Sequence, residues 1–329
     1  MPSSEIVHVL AAEDPVAAFG EAARAGRPIA LATSGTSGHA RTIVRTTGSW
    51  VGSFPAVSAL TGTTAGSRVH APGPITSSMN LFAAVHAGWA RATMVDELAD
   101  ATHAHLTPSA LRRVLATRPQ ELAGTHVVVA GDRVDAATRE QVLAAGGGLS
   151  HYYGAAELSL VAWGEHADAL RPFPGVEVRA RDGELWVRSP YVSRGYLEPG
   201  HELRTRPGGW VTVGDRGEVG GGVVRVHGRE GGITTAGATV TVADVERVLR
   251  PHAEGEVVVV GLPHAELGEV VACAVTVASD ADRLRRVARA ELTTPQRPRR
   301  WVHLETLPVT PNDKVDRGAV RARLVAAGS

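Results

Sequence analysis

The sequence predicts an α/β protein in which a large N-terminal domain, built on a parallel sheet and carrying a small β-subdomain, is hinged to a small α+β C-terminal domain. Three observations predict it. Over the first 150 residues apolar strand-like runs alternate with helix-like runs, the order that favours a parallel sheet with helices packed on it. From residue 174 short alternating strands take over. Beyond the glycine-rich stretch 228–237, helices and strands resume for about 100 residues, a common domain size. The N-terminal domain accordingly covers 1–228, with the β-subdomain at 174–228, and the C-terminal domain covers 229–329.

Taken in order, "PIALATSG" (28–35) is a strand running into a glycine turn, and "SMNLFAAVHAGWARA" (78–92) is a mostly buried helix. "PSALRRVLAT" (108–117) is an amphipathic helix with Ser109 near its start, "THVVVAGD" (125–132) a buried strand, and "AATREQVLAAGG" (136–147) a helix ended by glycines. "GVEVRARDGELWVRS" (175–189) alternates on both sides of Asp182-Gly183, which signals a hairpin. "GREGGITTAG" (228–237) offers little to pack and reads as a linker. After it come a helix (242–250), two strands, a helix, a strand and a last helix from about Asp316.

Composition narrows the classes. Of 329 residues, 43% are hydrophobic and 21% charged, as in a soluble globular protein. The 34 basic and 34 acidic residues cancel, so no field of one sign favours nucleic acid or an anionic membrane as a partner. The N-terminus lacks the basic start and apolar run of a signal peptide, and no run approaches the ~20 apolar residues of a membrane span. Cys273 is the single cysteine, which leaves no intrachain disulfide or cysteine–zinc cluster. A cytoplasmic enzyme is the expectation. The histidines His86, His103, His105, His126 and His151 show no metal-ligand spacing and are read as core or surface residues.

Three segments carry chemistry. In "ATSGTSGHAR" (32–41) hydroxyl residues alternate with glycines through Thr33, Ser34, Gly35, Thr36, Ser37 and Gly38; such a loop can wrap N–H and hydroxyl groups around a polyphosphate, or be a plain turn. In "HYYGAAELS" (151–159) an aromatic beside Gly154 can stack on a base, and Glu157 can hold Mg²⁺ together with substrate phosphates, or be a surface glutamate at a strand end. In "GWVTVGDRGEV" Asp215 can accept both hydroxyls of a ribose, or simply sit in a turn.

Six segments in order, from Thr33 to Arg317, resemble the adenylate-forming superfamily of acyl- and aryl-CoA synthetases and adenylation domains. They are "TSGTSGHAR", "YYGAAE", "GELWVRSPYVSRGYL", "WVTVGD", "GREGGITTAG" and "PVTPNDKVDR". The resemblance implies that residues 33–38 and Arg41 hold the ATP phosphates, and that Tyr153 and Gly154 meet the adenine. It further implies that Glu157 binds Mg²⁺, that Asp215 holds the ribose with Arg229 assisting, and that Lys314 bridges the substrate carboxylate and ATP. Glu230, Gly231 and Gly232 would be the pivot of a mobile C-terminal domain. Arg41 replaces the family's lysine, Ala40 its proline, Ala156 a threonine and Asp313 a glycine. With 32 residues before Thr33 the chain is similar to N-terminally shortened members, such as some o-succinylbenzoate–CoA ligases. Ser78, Met79 and Asn80 fall where the family builds its acyl pocket. No aspartate for an α-amine stands there, which points to a small carboxylic acid rather than an amino acid.

The implied function is a carboxylate–thiol ligase using ATP and Mg²⁺, with CoA as acceptor. The alternatives are a ligase that loads the phosphopantetheine of an acyl carrier protein, and a non-catalytic nucleotide-binding homologue. Lys314 is the sole lysine among 34 basic Lys and Arg residues. A compact ammonium on a slim stem suits the meeting point of two anions, where a planar guanidinium needs a matching fork.

Overall fold

A computed structural model describes residues 6–32, 41–229, 233–235, 238–264, 267–310 and 314–327, without the side chains of Arg229, Thr234, Ala238 and Thr239. The chain divides into two compact units, residues 1–226 with 311–314, and residues 227–310 with 315–329.

The first unit is built on the predicted parallel sheet. Thr93–Met94, Arg68–His70, His103–Leu106, His126–Ala130 and Gly148–Ala155 lie parallel, and Ser159–Gly164 and Arg171–Pro172 extend the sheet antiparallel. Both faces are covered, which is why the strand His126–Ala130 reads as a nearly continuous apolar run. In His126–Ala130, Val128 joins a core with Leu81, Phe82 and Phe173, while Val127 and Val129 join another with Leu111, Val114 and Val142. The helix Ser78–Ala90 is buried along most of its length, as its composition predicts. The helix Pro108–Thr117 is capped by Thr107, whose hydroxyl accepts from the Ala110 N–H at 3.1 Å.

Two smaller sheets complete this unit. One has the order Val7–His8, Pro28–Ala32, Thr42–Thr46, Gly195–Tyr196. The other holds the β-subdomain and includes the hairpin Glu177–Arg181/Glu184–Arg188. Asp182 (φ 54°) and Gly183 (φ 74°) turn this hairpin in left-handed conformations, the pattern that Asp-Gly signals.

In the second unit, Gly268–Val275 pairs with Val257–His264, with Ile233–Thr235 and, in parallel, with Arg300–His303. Helices Val242–Leu249 and Asp280–Glu291 serve one core of this sheet and Arg317–Ala326 the other. The stretch read as a linker is partly structured. Val223–Arg229 is a strand, and Ile233–Thr235 pairs with Ala238–Val240 because Ile233 buries in the core of this unit. No helix among the described residues is long and apolar enough to cross a membrane.

Candidate active site

The hairpin Gly148–Ala155/Ser159–Gly164 presents two of the chemical side chains. Its register slips between Tyr153 and Gly154, and Ser159 adopts φ 62°. A Cβ on Gly154 would run into the Ser159 carbonyl, so the close turn requires glycine. Alternation then separates the two tyrosines. Tyr152 stacks on Trp163, with centroids 5.4 Å apart and planes 8° from parallel. Tyr153 donates its hydroxyl to Asp215 Oδ2 at 2.5 Å. Asp215 starts the strand Asp215–Gly220 and is 6% exposed. The residues read separately for adenine and for ribose are therefore joined.

At the tip of the same hairpin, Glu157 is 6% exposed. Its backbone carbonyl accepts from the Ser193 N–H at 2.8 Å, and its Oε1 accepts from the Tyr196 hydroxyl at 2.8 Å. Tyr196 reaches it because Gly195–Tyr196 pairs antiparallel with Thr42–Thr46, placing Tyr196 opposite Ile43. The Glu198 carboxylate reinforces that pairing by accepting from the Thr42 N–H at 2.9 and 3.1 Å. Arg41 stands over the Tyr196 ring, its guanidinium carbon 5.6 Å from the centroid. Burial pushes the Tyr196 phenol up, and the Glu157 carboxylate adds to the shift.

Arg45, on the strand Thr42–Thr46, is 1% exposed. It donates Nη2 to the Tyr191 carbonyl at 2.7 Å and lies over Trp50 at 5.4 Å. Burial pulls its guanidinium down to about 9, against the opposing pull of Glu157. Sequence reasoning missed Arg45, Ser193, Tyr196 and Glu198. The Gly-Tyr of "SRGYL" and the basic residue after the loop were the available signals.

Several of the remaining expected residues lie outside the described residues. Ser78 and Met79 are half-buried on the first turn of Ser78–Ala90. Asn80 is 3% exposed; its Nδ2 donates to the carbonyls of Pro72 (3.0 Å) and Pro74 (3.1 Å), and its Oδ1 is buried without a hydrogen-bond partner among the described residues. Its donors hold the preceding loop. Lys314 is half-buried and leads into Val315, which bridges to Val309. Thr33, Ser34, Gly35, Thr36, Ser37 and Gly38 lie outside the described residues, as do Glu230, Gly231 and Gly232. Arg229 is described by its backbone, at the end of Val223–Arg229. Among the described residues no three His, Cys, Asp or Glu side chains form a metal cage. Glu157 fits the alternative, a single carboxylate that shares Mg²⁺ with phosphates.

The sequence pattern of the AMP-binding enzyme family matches residues 29–197, and that of the AMP-binding enzyme C-terminal domain matches residues 244–314. The chain belongs to the AMP-binding enzyme family. It is 27% identical to the uncharacterized acyl–CoA ligase YhfT of Bacillus subtilis (strain 168), over 88% of this chain and 67% of that protein. It is 28% identical to the 2-succinylbenzoate–CoA ligase of Escherichia coli (strain K12), over 63% of this chain and 47% of the relative. The chain thus spans about two thirds of the length of one of these relatives and about half of the other. A solved structure of an arginine-to-lysine variant of E. coli MenE with bound OSB-AMS superposes with a TM-score of 0.80 at 25% identity, covering 91% of this chain and 69% of that one. The matched family confirms the adenylate-forming resemblance and the α/β fold class.

Proposed function

We propose that this chain is an ATP-dependent carboxylate–thiol ligase. A small carboxylic acid attacks the α-phosphorus of ATP, pyrophosphate leaves, and an acyl-AMP forms. A thiolate then attacks the acyl carbon, AMP leaves, and the thioester is released. The observation that carries this reading is the single hairpin that presents Tyr153 to Asp215 and Glu157 to Tyr196, beside Arg41. In this reading one β-turn joins the residues for the nucleoside end of ATP to those for its phosphate end.

In this reading Asp215 accepts the ribose hydroxyls and Tyr153 borders the adenine with Gly154. Residues 33–38 and Arg41 take the phosphates, and Arg229 assists at the ribose. Mg²⁺, held by Glu157 and the phosphates, would neutralise phosphate charge. Lys314 supplies the cation between the carboxylate and the α-phosphate, where negative charge grows as the bond forms. Glu230, Gly231 and Gly232 are the pivot that would move Lys314 between the two half-reactions. Ser78, Met79 and Asn80 border the acyl group. The acceptor is CoA, and the runner-up is the phosphopantetheine of a carrier protein.

The test is pyrophosphate–ATP exchange with 2-succinylbenzoate, benzoate, salicylate and octanoate as probe acids, followed by thioester formation with CoA or with a phosphopantetheinylated carrier. Exchange with at least one acid is expected, together with release of AMP when CoA is added. AMP binding without exchange by any of the four would leave a nucleotide-binding protein instead.

A further inference from the structure

What fixes the backbone next to Lys314 is described within the second unit. Glu246, on the helix Val242–Leu249, is 3% exposed. A buried carboxylate persists only when it is paired and hydrogen-bonded, and this one is. Its Oε1 accepts from the Val259 N–H at 2.8 Å and from Arg317 Nη1 at 2.6 Å. Its Oε2 accepts from Arg317 Nη2 at 3.0 Å and from Arg250 Nη2 at 2.8 Å. Arg317 Nη1 also donates to the Val259 carbonyl at 3.1 Å. A two-pronged contact of this kind sets direction as well as distance.

Arg317 opens the helix Arg317–Ala326, three residues beyond Lys314. Between them Val315 bridges to Val309, and the Asp316 N–H donates to the Pro308 carbonyl at 2.9 Å. The Asp316 side chain caps the helix by accepting from the Ala319 N–H at 2.9 Å. Residues 315, 316 and 317 are each tied down, and the tie to the buried Glu246 carboxylate is that of Arg317.

We propose that the Glu246–Arg317 pair is a positioning clamp for Lys314. It fixes the chain at the root of the lysine, so that the ammonium arrives at one place during acyl-AMP formation. The clamp rests on the reading of Lys314 given above. Neither residue of the pair meets substrate; both act through the backbone of 315–317. Arg250 supplies the comparison that separates this role from plain stabilisation. It pairs with the same carboxylate from one helical turn along Val242–Leu249, so its removal weakens the carboxylate's partners while leaving the two-pronged contact of Arg317 in place.

The experiment compares Arg317→Met, Arg250→Met and Lys314→Ala in the full chain, with the probe acid that supports exchange. Arg317→Met should lower pyrophosphate exchange about 100-fold, the cost of a misplaced group, while thioester formation from the supplied acyl-AMP changes by less than about twofold. Arg250→Met should lower the melting temperature but leave the ratio of the two half-reactions as in the wild type. Because the chain has one lysine, isotope-labelled lysine gives one amide signal, that of Lys314. Its order parameter should be near 0.85 in the wild type and in Arg250→Met, and fall below about 0.6 in Arg317→Met. The clamp is refuted if Arg317→Met and Arg250→Met depress both half-reactions alike, or if the Lys314 amide does not respond to Arg317→Met. Full exchange in Lys314→Ala would refute the reading of the lysine instead, and the order parameter would still judge the clamp. Should Arg317→Met not fold, Arg317→Gln keeps a hydrogen-bond donor without the charged fork, adds no lysine, and is read in the same two ways.

Discussion

Two charged side chains of opposite sign carry the proposed chemistry, and single substitutions separate their roles. Lys314→Arg keeps a positive charge but replaces a compact ammonium with a planar fork. Pyrophosphate exchange should fall about 100-fold, since a small misplacement at the reacting atoms is enough for that loss. Thioester formation from supplied acyl-AMP should be nearly unchanged; equal loss in both half-reactions would contradict the assignment. Glu157→Gln keeps the shape and the Tyr196 contact but removes the charge. Exchange should slow and need more Mg²⁺, and the melting temperature should also drop, because Arg45 loses the charge that offsets its burial. An unchanged Mg²⁺ requirement would take Glu157 out of the metal site. Tyr196 is signalled in the sequence only by the Gly-Tyr of its segment, and Arg45 only by its place after the glycine-rich loop. Arg45 reads as one arginine among many, and its significance comes from being almost fully buried near a carboxylate more than a hundred positions away.

Among the elements, the hairpin of Tyr153 and Glu157 has the strictest requirement. Its turn tolerates no Cβ at Gly154 and holds Ser159 in a left-handed conformation. Gly154→Ala should destabilise the first unit by about 1–3 kcal/mol, the usual cost of forcing atoms into a filled space, and should weaken ATP binding because Tyr153 and Glu157 flank the turn. Urea unfolding and ATP titration would check this; wild-type values in both would show that the turn relaxes freely. Regular elements of this kind were legible from periodicity. The strand Pro28–Ala32, the helix Ser78–Ala90 and the Asp182-Gly183 hairpin fall where the pattern puts them. The two-residue strand Gly195–Tyr196 was not legible. It is too short to show a period, and it exists because Thr42–Thr46 offers it an edge.

The first unit as a whole buries histidines that the mechanism does not use. Burial lowers His105 to about 3 and His86 and His151 to about 4. Lowered values mean that the folded state favours the neutral ring, whereas the unfolded chain takes up protons below about 6.5. Below that pH the unfolded state therefore binds more protons. Stability should be full above about pH 6.5 and fall as the pH drops toward 4, by up to about 1.4 kcal/mol per pH unit for each histidine. Thermal melts between pH 4 and pH 8 would test this, and a flat melting temperature over that range would show that the rings are hydrated in the fold.

The sequence by itself determined the order of strands and helices, the parallel sheet, the turn chemistry and the family. Each of these is written in local patterns, apolar period and glycine placement, or in motifs a few residues long. Which side chains meet was decided by the tertiary structure. Tyr153 and Asp215 are 62 positions apart, and Tyr196 and Glu157 are 39 apart. Glu246 and Arg317 are 71 apart, joined only because a helix and the start of another pack on the same strand. Contacts between distant residues depend on strand register and on which face each residue takes. Those are set by the packing of the whole sheet, which no local pattern records.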